Sequence, residues 1–235
     1  MDFAFTDKTE ALRTRVRGFM DTHVIPRNRE FNRVISTHFF MPAHVTRLME
    51  LVPAKVTAPE VLATARALAV DLGKIPVVAG NCDGFIGNRL FDRLHQEAMY
   101  LVEDGAEPAD IDDALEAWGM KLGPLRTLDM IGNDIPWGVR LQRAEAQPTL
   151  QQPLVGDRLC EAGLMGQKTG HGWYAYDAGD RRGHPHDAAR EVALRAAADL
   201  GLVRLDIGRN EILGRCLVAL ILEAATGAGN NHDRG

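Results

Sequence analysis

The chain has 235 residues, a formal net charge of -5 and a sequence isoelectric point of about 5.9. Hydrophobic residues make up 46% of it and charged residues 25%, which is ordinary for a globular protein. Lysine and arginine form no run or stripe, so the composition offers no electrostatic surface for nucleic acid or an anionic membrane. The longest apolar stretch, residues 217–222, is far too short to span a bilayer. We therefore expect no nucleic-acid partner and no membrane span.

The three cysteines, Cys82, Cys160 and Cys216, lie far apart and form no CxxC pair. This spacing argues against a disulfide framework and against a zinc site, and it fits a reducing compartment. The first 18 residues carry acidic side chains before any apolar run, so they do not resemble a signal peptide. Together these observations predict a cytoplasmic protein without a bound metal ion.

The first part of the chain alternates between helical and extended patterns. Residues 7–24 have apolar side chains at helical spacing and predict an amphipathic helix that ends at Pro26. Residues 34–41 are rich in β-branched and aromatic side chains and predict a strand that ends at Pro42. The next stretch, residues 45–52, fits either a hairpin partner of that strand or a short helix, and its periodicity does not distinguish the two.

Residues 57–72 predict another helix, because Thr57 and Glu60 form a capping-box signal and Gly73 follows the last apolar position. A short strand is expected at residues 75–79. From there the pattern predicts mainly helices. They are expected at residues 85–103, 108–118, 124–131, 135–146, 151–162, 188–199 and 210–225, with a strand at 173–176 and a polar linker at 178–187.

One internal repeat appears when the chain is shifted by 126 residues against itself. Five residues of the helix at 85–103 then match five residues of the helix at 210–225 without a gap. The matched positions are Ile86, Arg89, Leu94, Glu97 and Ala98 in the first copy and Ile212, Arg215, Leu220, Glu223 and Ala224 in the second. A genuine repeat would mean that a second copy of one helical unit begins at about residue 189.

Four segments of the chain, in one order and at one spacing, resemble the L-3-hydroxyacyl-CoA dehydrogenase family. They are THFFMPAHVTRLMELV at 37–52, GKIPVV and DGFIGNRL within 73–90, ADIDDALEAWGMKLGPLRTLDMIG at 109–132, and GLMGQKTGHGWYAYD at 163–177. The resemblance covers about residues 34–178. It implies a mainly α fold: the family's helical C-terminal domain, like that of 6-phosphogluconate dehydrogenase, preceded by a remnant β-hairpin of a Rossmann domain.

The resemblance also suggests how the chain is divided. Residues 1–31 resemble the N-terminal helix of acyl-CoA dehydrogenases, and residues 179–225 resemble part of a second helical domain of multifunctional fatty-acid oxidation enzymes. The expected divisions are an N-terminal helix at 1–33, the end of an NAD-binding domain with a linker helix at 34–80, the helical C-terminal domain at 81–178, a linker at 179–187, a partial second helical domain at 188–226 and a disordered tail at 227–235.

The family's reaction oxidises a 3-hydroxyacyl-CoA to the 3-ketoacyl-CoA and passes a hydride to NAD. The substrate hydroxyl loses its proton to a base, and an imidazole oriented by a carboxylate suits this step. The resemblance assigns His38 as this base and Glu50 as its carboxylate. Their twelve-residue separation across a turn at Pro42 allows them to face each other if both segments are strands. By themselves, the two residues favour a half-buried strand histidine and a solvated charge, and the surrounding HFF-P…E pattern reverses this preference.

Asn88 is the third candidate, because its amide can bind the substrate hydroxyl or thioester oxygen near a helix start. The alternative is a capping or surface amide. The sequence holds no GxGxxG motif, and the GxG at residues 170–172 leads into an aromatic strand and not a helix. No residue is therefore assigned to cofactor binding. NAD is expected from the family alone, and we predict that the NAD-binding domain is missing and that the isolated chain is inactive.

Three kinds of protein remain compatible with the sequence. The first is a dehydrogenase component that binds acyl-CoA and pairs with a chain that supplies the NAD domain. The second is an assembly module in which a helical domain packs against another copy, as a homodimer or a tandem repeat. Such a module would present the apolar residues Leu217, Leu220 and Ile221 of its last helix to a partner. The third is a gene-fusion remnant without function.

Overall fold

The computed structural model describes residues 11, 14–18, 21–22 and 34–229, and for residues 227–229 only the backbone. The chain divides into two compact units, of which the first ends at Ile86 and the second begins at Gly87. Residues 14–18 are helical. The remainder of the predicted helix at 7–24 lies largely outside the described residues, as does the segment that resembles acyl-CoA dehydrogenases. Within the described residues, no helix is long and apolar enough to cross a membrane.

The first unit contains a three-stranded sheet and one helix. Strands β1 (Ile35–Phe39) and β2 (Leu48–Pro53) pair antiparallel, which confirms the hairpin and excludes the helical alternative for the second segment. Helix α1 (Pro59–Asp71) then leads to β3 (Ile75–Val78), which pairs parallel to β2. The expectation of a hairpin alone was therefore incomplete, because the intervening helix allows a third strand to join the sheet in parallel.

A small apolar cluster joins the sheet to α1. It consists of the buried residues Met49, Leu51, Ala65 and Ala69, with Ile35 and Leu62 packed against them. The helix does not start with the predicted capping box. Its N-cap is Ala58, without a side-chain hydrogen bond, and Pro59 occupies the first turn. The Thr57 hydroxyl instead accepts the amide of Ala54 and donates to the carbonyl of Val34. The threonine thus binds the loop to β1 and leaves the helix start uncapped.

The second unit is mainly helical. Its helices are α2 (Gly87–Asp104), α3 (Pro108–Trp118), α4 (Pro124–Ile131), α5 (Asp134–Ala146), α6 (Val155–Glu161), α7 (Asp187–Asp199) and α8 (Arg209–Gly229). The predicted helices at 108–118 and 124–131 have the observed bounds, and a proline in the first turn fixes the start of each. The last helix continues to Gly229, four residues beyond its predicted end, and residues 230–235 lie outside the described part.

The aromatic segment at 173–176 is buried, as predicted, but forms only a two-residue strand. Strand β4 (Tyr174–Ala175) pairs antiparallel with β5 (His184–Pro185), which lies within the stretch predicted as a polar linker. Trp173 and Tyr174 are each 1% exposed and belong to the main apolar core. The stretch that we expected to be a linker is therefore partly paired to the helical unit.

Two buried carboxylates connect distant elements of this unit. Asp129, on α4, accepts the backbone amides of Trp173 and Tyr174 at 2.9 and 3.0 Å, and it also accepts the Asn133 amide at 2.8 Å. Asp112, on α3, accepts the amides of the first turn of α4 and the hydroxyl of Tyr174 at 2.7 Å. Burial raises the pKa of both carboxyl groups, that of Asp112 to about 6.

Helices α2 and α8 contact each other through the positions of the internal repeat. Arg89 of α2 forms an ion pair with Glu223 of α8. Arg215 of α8 forms the reciprocal pair with Glu97 of α2, with Nε and Oε1 2.7 Å apart. Because Arg89 and Glu97 correspond to Arg215 and Glu223 in the repeat, each arginine binds the glutamate of the other copy. These reciprocal ion pairs support a genuine repeat whose two long helices pack against each other.

His95 of α2 makes the stability of this unit depend on pH. Its side chain is buried, and Nε2 has no hydrogen-bond partner among the described residues. Burial, with the nearby Arg140 charge, lowers the pKa of His95 to about 4. The unfolded chain binds this proton near pH 6.5, so the stabilising contribution is complete above that pH and is lost as the pH falls towards 4. We expect a loss of about 3 kcal/mol from this group between pH 7 and pH 4.

Urea denaturation of the wild type and His95→Phe at both pH values checks this prediction. The variant should lose less stability on acidification than the wild type, because it has no proton to bind at this position. His184→Phe is the matched control, since His184 is 52% exposed. Equal acid sensitivity of the wild type and His95→Phe would contradict the prediction.

Candidate active site

The register of β1 and β2 places His38 directly opposite Glu50. Opposing residues of antiparallel strands project to the same face, which brings the two side chains together. Glu50 also lies beside Val77 of β3, so its strand is paired on both sides. Its side chain is only 1% exposed, whereas that of His38 is 27% exposed. The sheet therefore holds a buried carboxylate behind a partly accessible imidazole.

Both oxygens of the Glu50 carboxylate accept hydrogen bonds. Oε2 lies 2.6 Å from Nδ1 of His38, and Oε1 accepts the backbone amide of Ile86 at 2.9 Å. An ionised carboxylate has no hydrogen to donate, so Nδ1 carries the hydrogen of this short contact. In the neutral imidazole, Nε2 then keeps an unshared electron pair. This arrangement can remove a proton from an alcohol.

Two aromatic rings flank the His38 imidazole. The ring centroid of Phe40 lies 4.6 Å from that of His38, and the centroid of Phe85 lies 5.5 Å away, each with an interplanar angle of 57°. The sequence analysis did not assign Phe85 or Ile86 to the site. Phe85 contacts His38, which lies about 47 positions earlier in the chain, and Ile86 contacts Glu50, about 36 positions earlier. No local sequence pattern indicates contacts over such separations.

Lys74 holds the turn between β1 and β2. Its ammonium donates to the carbonyl of Ala43, and it also donates to the carbonyl of Thr46 at 2.7 Å. Lys74 lies between the end of α1 at Asp71 and the start of β3 at Ile75. This lysine, which the sequence analysis also missed, restrains the loop that carries the chain from His38 to Glu50.

The third predicted residue, Asn88, belongs to the second unit. It is the second residue of α2 and its side chain is exposed. The structure brings His38 and Glu50 together within the first unit, while the role of Asn88 stays a prediction. Exposure and position near a helix start fit a substrate-binding amide and a surface amide alike.

No metal-binding group of three or more histidine, cysteine or acidic residues occurs in the part of the chain that the structure describes. None of the three cysteines, all in the described part of the chain, forms a disulfide: Cys82 is exposed, and Cys160 and Cys216 are buried. Burial raises the pKa of both buried thiols to about 12. The buried thiols are therefore protonated at neutral pH and are poor nucleophiles.

Residues 34–86 lack one feature of a dinucleotide site. Such a site uses a glycine-rich turn between a strand and the helix that follows it. Here the turn between β2 and α1 has the sequence AKVTA at 54–58 and contains no glycine. Residues 34–86 therefore include the hydrogen-bonded His38–Glu50 pair but no phosphate-binding turn of this kind.

Two family models match the chain. The model of the 3-hydroxyacyl-CoA dehydrogenase NAD binding domain matches residues 18–82, and the model of the C-terminal domain matches residues 84–176. The first match corrects our prediction that the NAD-binding domain is missing, because a substantial segment of the chain corresponds to it. It also overlaps residues 18–31, which we had compared with acyl-CoA dehydrogenases. The GxGxxG turn is only a short part of such a domain, so its absence does not show that the whole domain is missing.

The chain is similar to longer enzymes and to solved dehydrogenases. It is 42% identical over 205 residues to the peroxisomal bifunctional enzyme of Cavia porcellus, and the matched region is 82% of this chain but only 28% of that protein. The dehydrogenase part of multifunctional enzyme 1 from C. elegans superposes with a TM-score of 0.65 at 25% identity, over 84% of this chain and 44% of that one. The (S)-3-hydroxybutyryl-CoA dehydrogenase of Ralstonia eutropha gives a TM-score of 0.57 at 34% identity, over 62% of this chain and 53% of that one.

These relatives correct the predicted location and establish the family. Those from Cavia porcellus and Homo sapiens are named peroxisomal, and one from Cucumis sativus is named glyoxysomal. The prediction of a cytoplasmic protein is therefore wrong, because cysteine spacing and the N-terminal composition distinguish secreted proteins from others but do not identify an organelle. With both domain models matched in their family order, the chain belongs to the 3-hydroxyacyl-CoA dehydrogenase family.

Proposed function

We propose that this chain takes part in the oxidation of an L-3-hydroxyacyl-CoA to the 3-ketoacyl-CoA with NAD, a step of fatty-acid β-oxidation. The observation that carries the proposal is the 2.6 Å contact between Nδ1 of His38 and Oε2 of the buried Glu50. A buried carboxylate of this kind stabilises the positive charge that develops on the imidazole when it accepts a proton. The chain spans less than a third of its relatives' length, so the activity of a whole enzyme is part of the proposal.

The residues of this chain account for the proton transfer. Nε2 of His38 accepts the proton of the substrate hydroxyl, and Glu50 fixes the imidazole in the tautomer that leaves Nε2 free. The Asn88 amide donates a hydrogen bond to the substrate hydroxyl or to the thioester oxygen. NAD, when bound, supplies the acceptor for the hydride that leaves the same carbon.

The isolated chain is expected to be inactive as a dehydrogenase. The reason is not that the whole NAD-binding domain is missing. The sequence contains no GxGxxG turn to hold the pyrophosphate of NAD. A different chain that supplies the dinucleotide-binding turn would complete the site, whereas a second copy of this chain would not, because it lacks the same turn. Reduction of NAD by the purified chain with 3-hydroxybutyryl-CoA would overturn this part of the proposal.

Calorimetric binding of 3-hydroxybutyryl-CoA tests the site without any need for turnover. We expect His38→Ala and Asn88→Ala each to raise the Kd about 3- to 10-fold, because each removes one hydrogen bond to the substrate. His184→Ala, at an exposed position of the second unit, is the control and should bind like the wild type. Unchanged affinity in both site variants would refute the assignment of His38 and Asn88 to substrate binding.

A second function, an assembly module, is favoured by an apolar stripe on α8. Val218, Ile221 and Leu222 are 53%, 65% and 58% exposed. Of the residues predicted to need a partner, only Ile221 is exposed, whereas Leu217 and Leu220 are half-buried. Sedimentation over a range of concentrations distinguishes the two functions. Self-association without acyl-CoA binding would favour assembly over the dehydrogenase role.

A peroxisomal location is proposed in place of the cytoplasmic one, on the basis of the relatives' names. A fluorescent fusion expressed in the cells of origin tests this proposal directly. Co-localisation with a peroxisomal marker is the expected result, and a uniform cytoplasmic signal would contradict it.

A further inference from the structure

Phe85 has an unusual backbone conformation for a residue with a side chain. In the described part of the chain, it is the only residue other than glycine with a positive φ, at 47°. It follows Gly84, whose φ is 69°, and its amide donates to the carbonyl of Cys82 at 3.2 Å. A bulky aromatic residue rarely adopts this left-handed region. Such residues persist only where other contacts offset their cost, and they cluster at functional sites.

The conformation of Phe85 accounts for one contact with each residue of the proposed catalytic pair, His38 and Glu50. The backbone turn directs the amide of the next residue, Ile86, to Oε1 of Glu50 at 2.9 Å. The side chain places its ring centroid 5.5 Å from that of His38. Phe85 thus contacts the base directly and holds the carboxylate through its neighbour.

We propose that Phe85 is a positioning residue for the catalytic pair, and that the packing of its ring on His38 maintains the left-handed backbone that presents the Ile86 amide to Glu50. This inference deepens the proposed function and rests on it. With the ring in place, Glu50 is oriented at both oxygens and His38 keeps its hydrogen on Nδ1. Without the ring, a residue with a β-carbon relaxes to negative φ and withdraws the Ile86 amide from the carboxylate.

Three substitutions at this position distinguish the effect of the aromatic ring from the effect of the backbone conformation. Phe85→Leu loses the ring but keeps the steric cost of a positive φ, so its backbone should relax. Phe85→Gly loses both the ring and the cost, so its turn should persist. Phe85→Tyr keeps the ring and should behave like the wild type. Phe40→Leu is the control, because Phe40 also packs on His38 but has no connection to the Ile86 amide.

Hydrogen exchange of the Ile86 amide and ¹⁵N spectra of His38 provide the readouts in the full chain. In Phe85→Leu we expect exchange to become roughly tenfold faster or more and the single Nδ1–H tautomer to become a mixture. Phe85→Tyr, Phe85→Gly and Phe40→Leu should keep slow exchange and one tautomer.

Wild-type behaviour of Phe85→Leu would overturn the proposal, and so would equal losses in Phe85→Leu and Phe85→Gly. Equal losses in Phe85→Leu and Phe40→Leu would also overturn it, since aromatic packing alone would then explain the result. Should Phe85→Gly not fold, the leucine and tyrosine variants still decide. These readouts require no substrate, so their failure is distinct from a failure of acyl-CoA binding in His38→Ala.

Discussion

Replacing Glu50 by glutamine is expected to move the hydrogen of His38 from Nδ1 to Nε2. The glutamine carbonyl can still accept the Ile86 amide, which in the wild type lies 2.9 Å from Oε1. Its NH₂ group then faces Nδ1 of His38 and donates to it. The nitrogen directed away from residue 50 becomes protonated and can no longer accept a proton. Any NAD reduction that the chain supports should fall about 10²- to 10⁴-fold.

The tautomer of His38 is measured by ¹⁵N–¹H correlation spectra of the isolated chain. Glu60→Gln is the matched control, because it makes the same chemical change at an exposed position of α1. The control should leave the spectrum of His38 unchanged. A wild-type tautomer in Glu50→Gln would show that the carboxylate does not orient the imidazole, and the proposed base would lose its main support.

Replacing Asp129 by alanine is expected to lower the free energy of unfolding of the helical unit by about 3–5 kcal/mol. The substitution leaves the amides of Trp173 and Tyr174 buried without the oxygens that accept them. It also removes the acceptor of the Asn133 amide. Each buried donor without a partner costs about 1–3 kcal/mol. Asp129 is thus the side chain of α4 that accepts the backbone amides of the aromatic segment.

Urea denaturation followed by tryptophan fluorescence measures this loss. Asp199→Ala is the control, since Asp199 is 54% exposed and its ion pair with Arg158 spans 3.3 Å. A surface pair of this kind is worth about 0–1 kcal/mol, so the control should change stability little. A loss of less than about 1 kcal/mol in Asp129→Ala would mean that the buried amides find other partners.

The main errors of the sequence analysis concern contacts between distant residues. The capping box at Thr57 and Glu60 has the right local pattern, yet the Thr57 hydroxyl binds the carbonyl of Val34, 23 residues earlier. The strand at 75–79 was predicted, but nothing in its composition indicates that it pairs with β2. The polar stretch at 178–187 was predicted as a linker because polarity does not show that His184 and Pro185 pair with β4.

The sequence by itself determined most helices of the second unit, because helical periodicity and first-turn prolines act within a few residues. His38 and Glu50 were assigned as a pair through the family resemblance and not through any local pattern. Only the tertiary structure decided that β3 joins the sheet, that Asp129 binds amides 44 and 45 residues away, and that Phe85 adopts a positive φ beside the imidazole. These features depend on how separate elements pack, and a local pattern contains no information about which distant group will meet a given side chain.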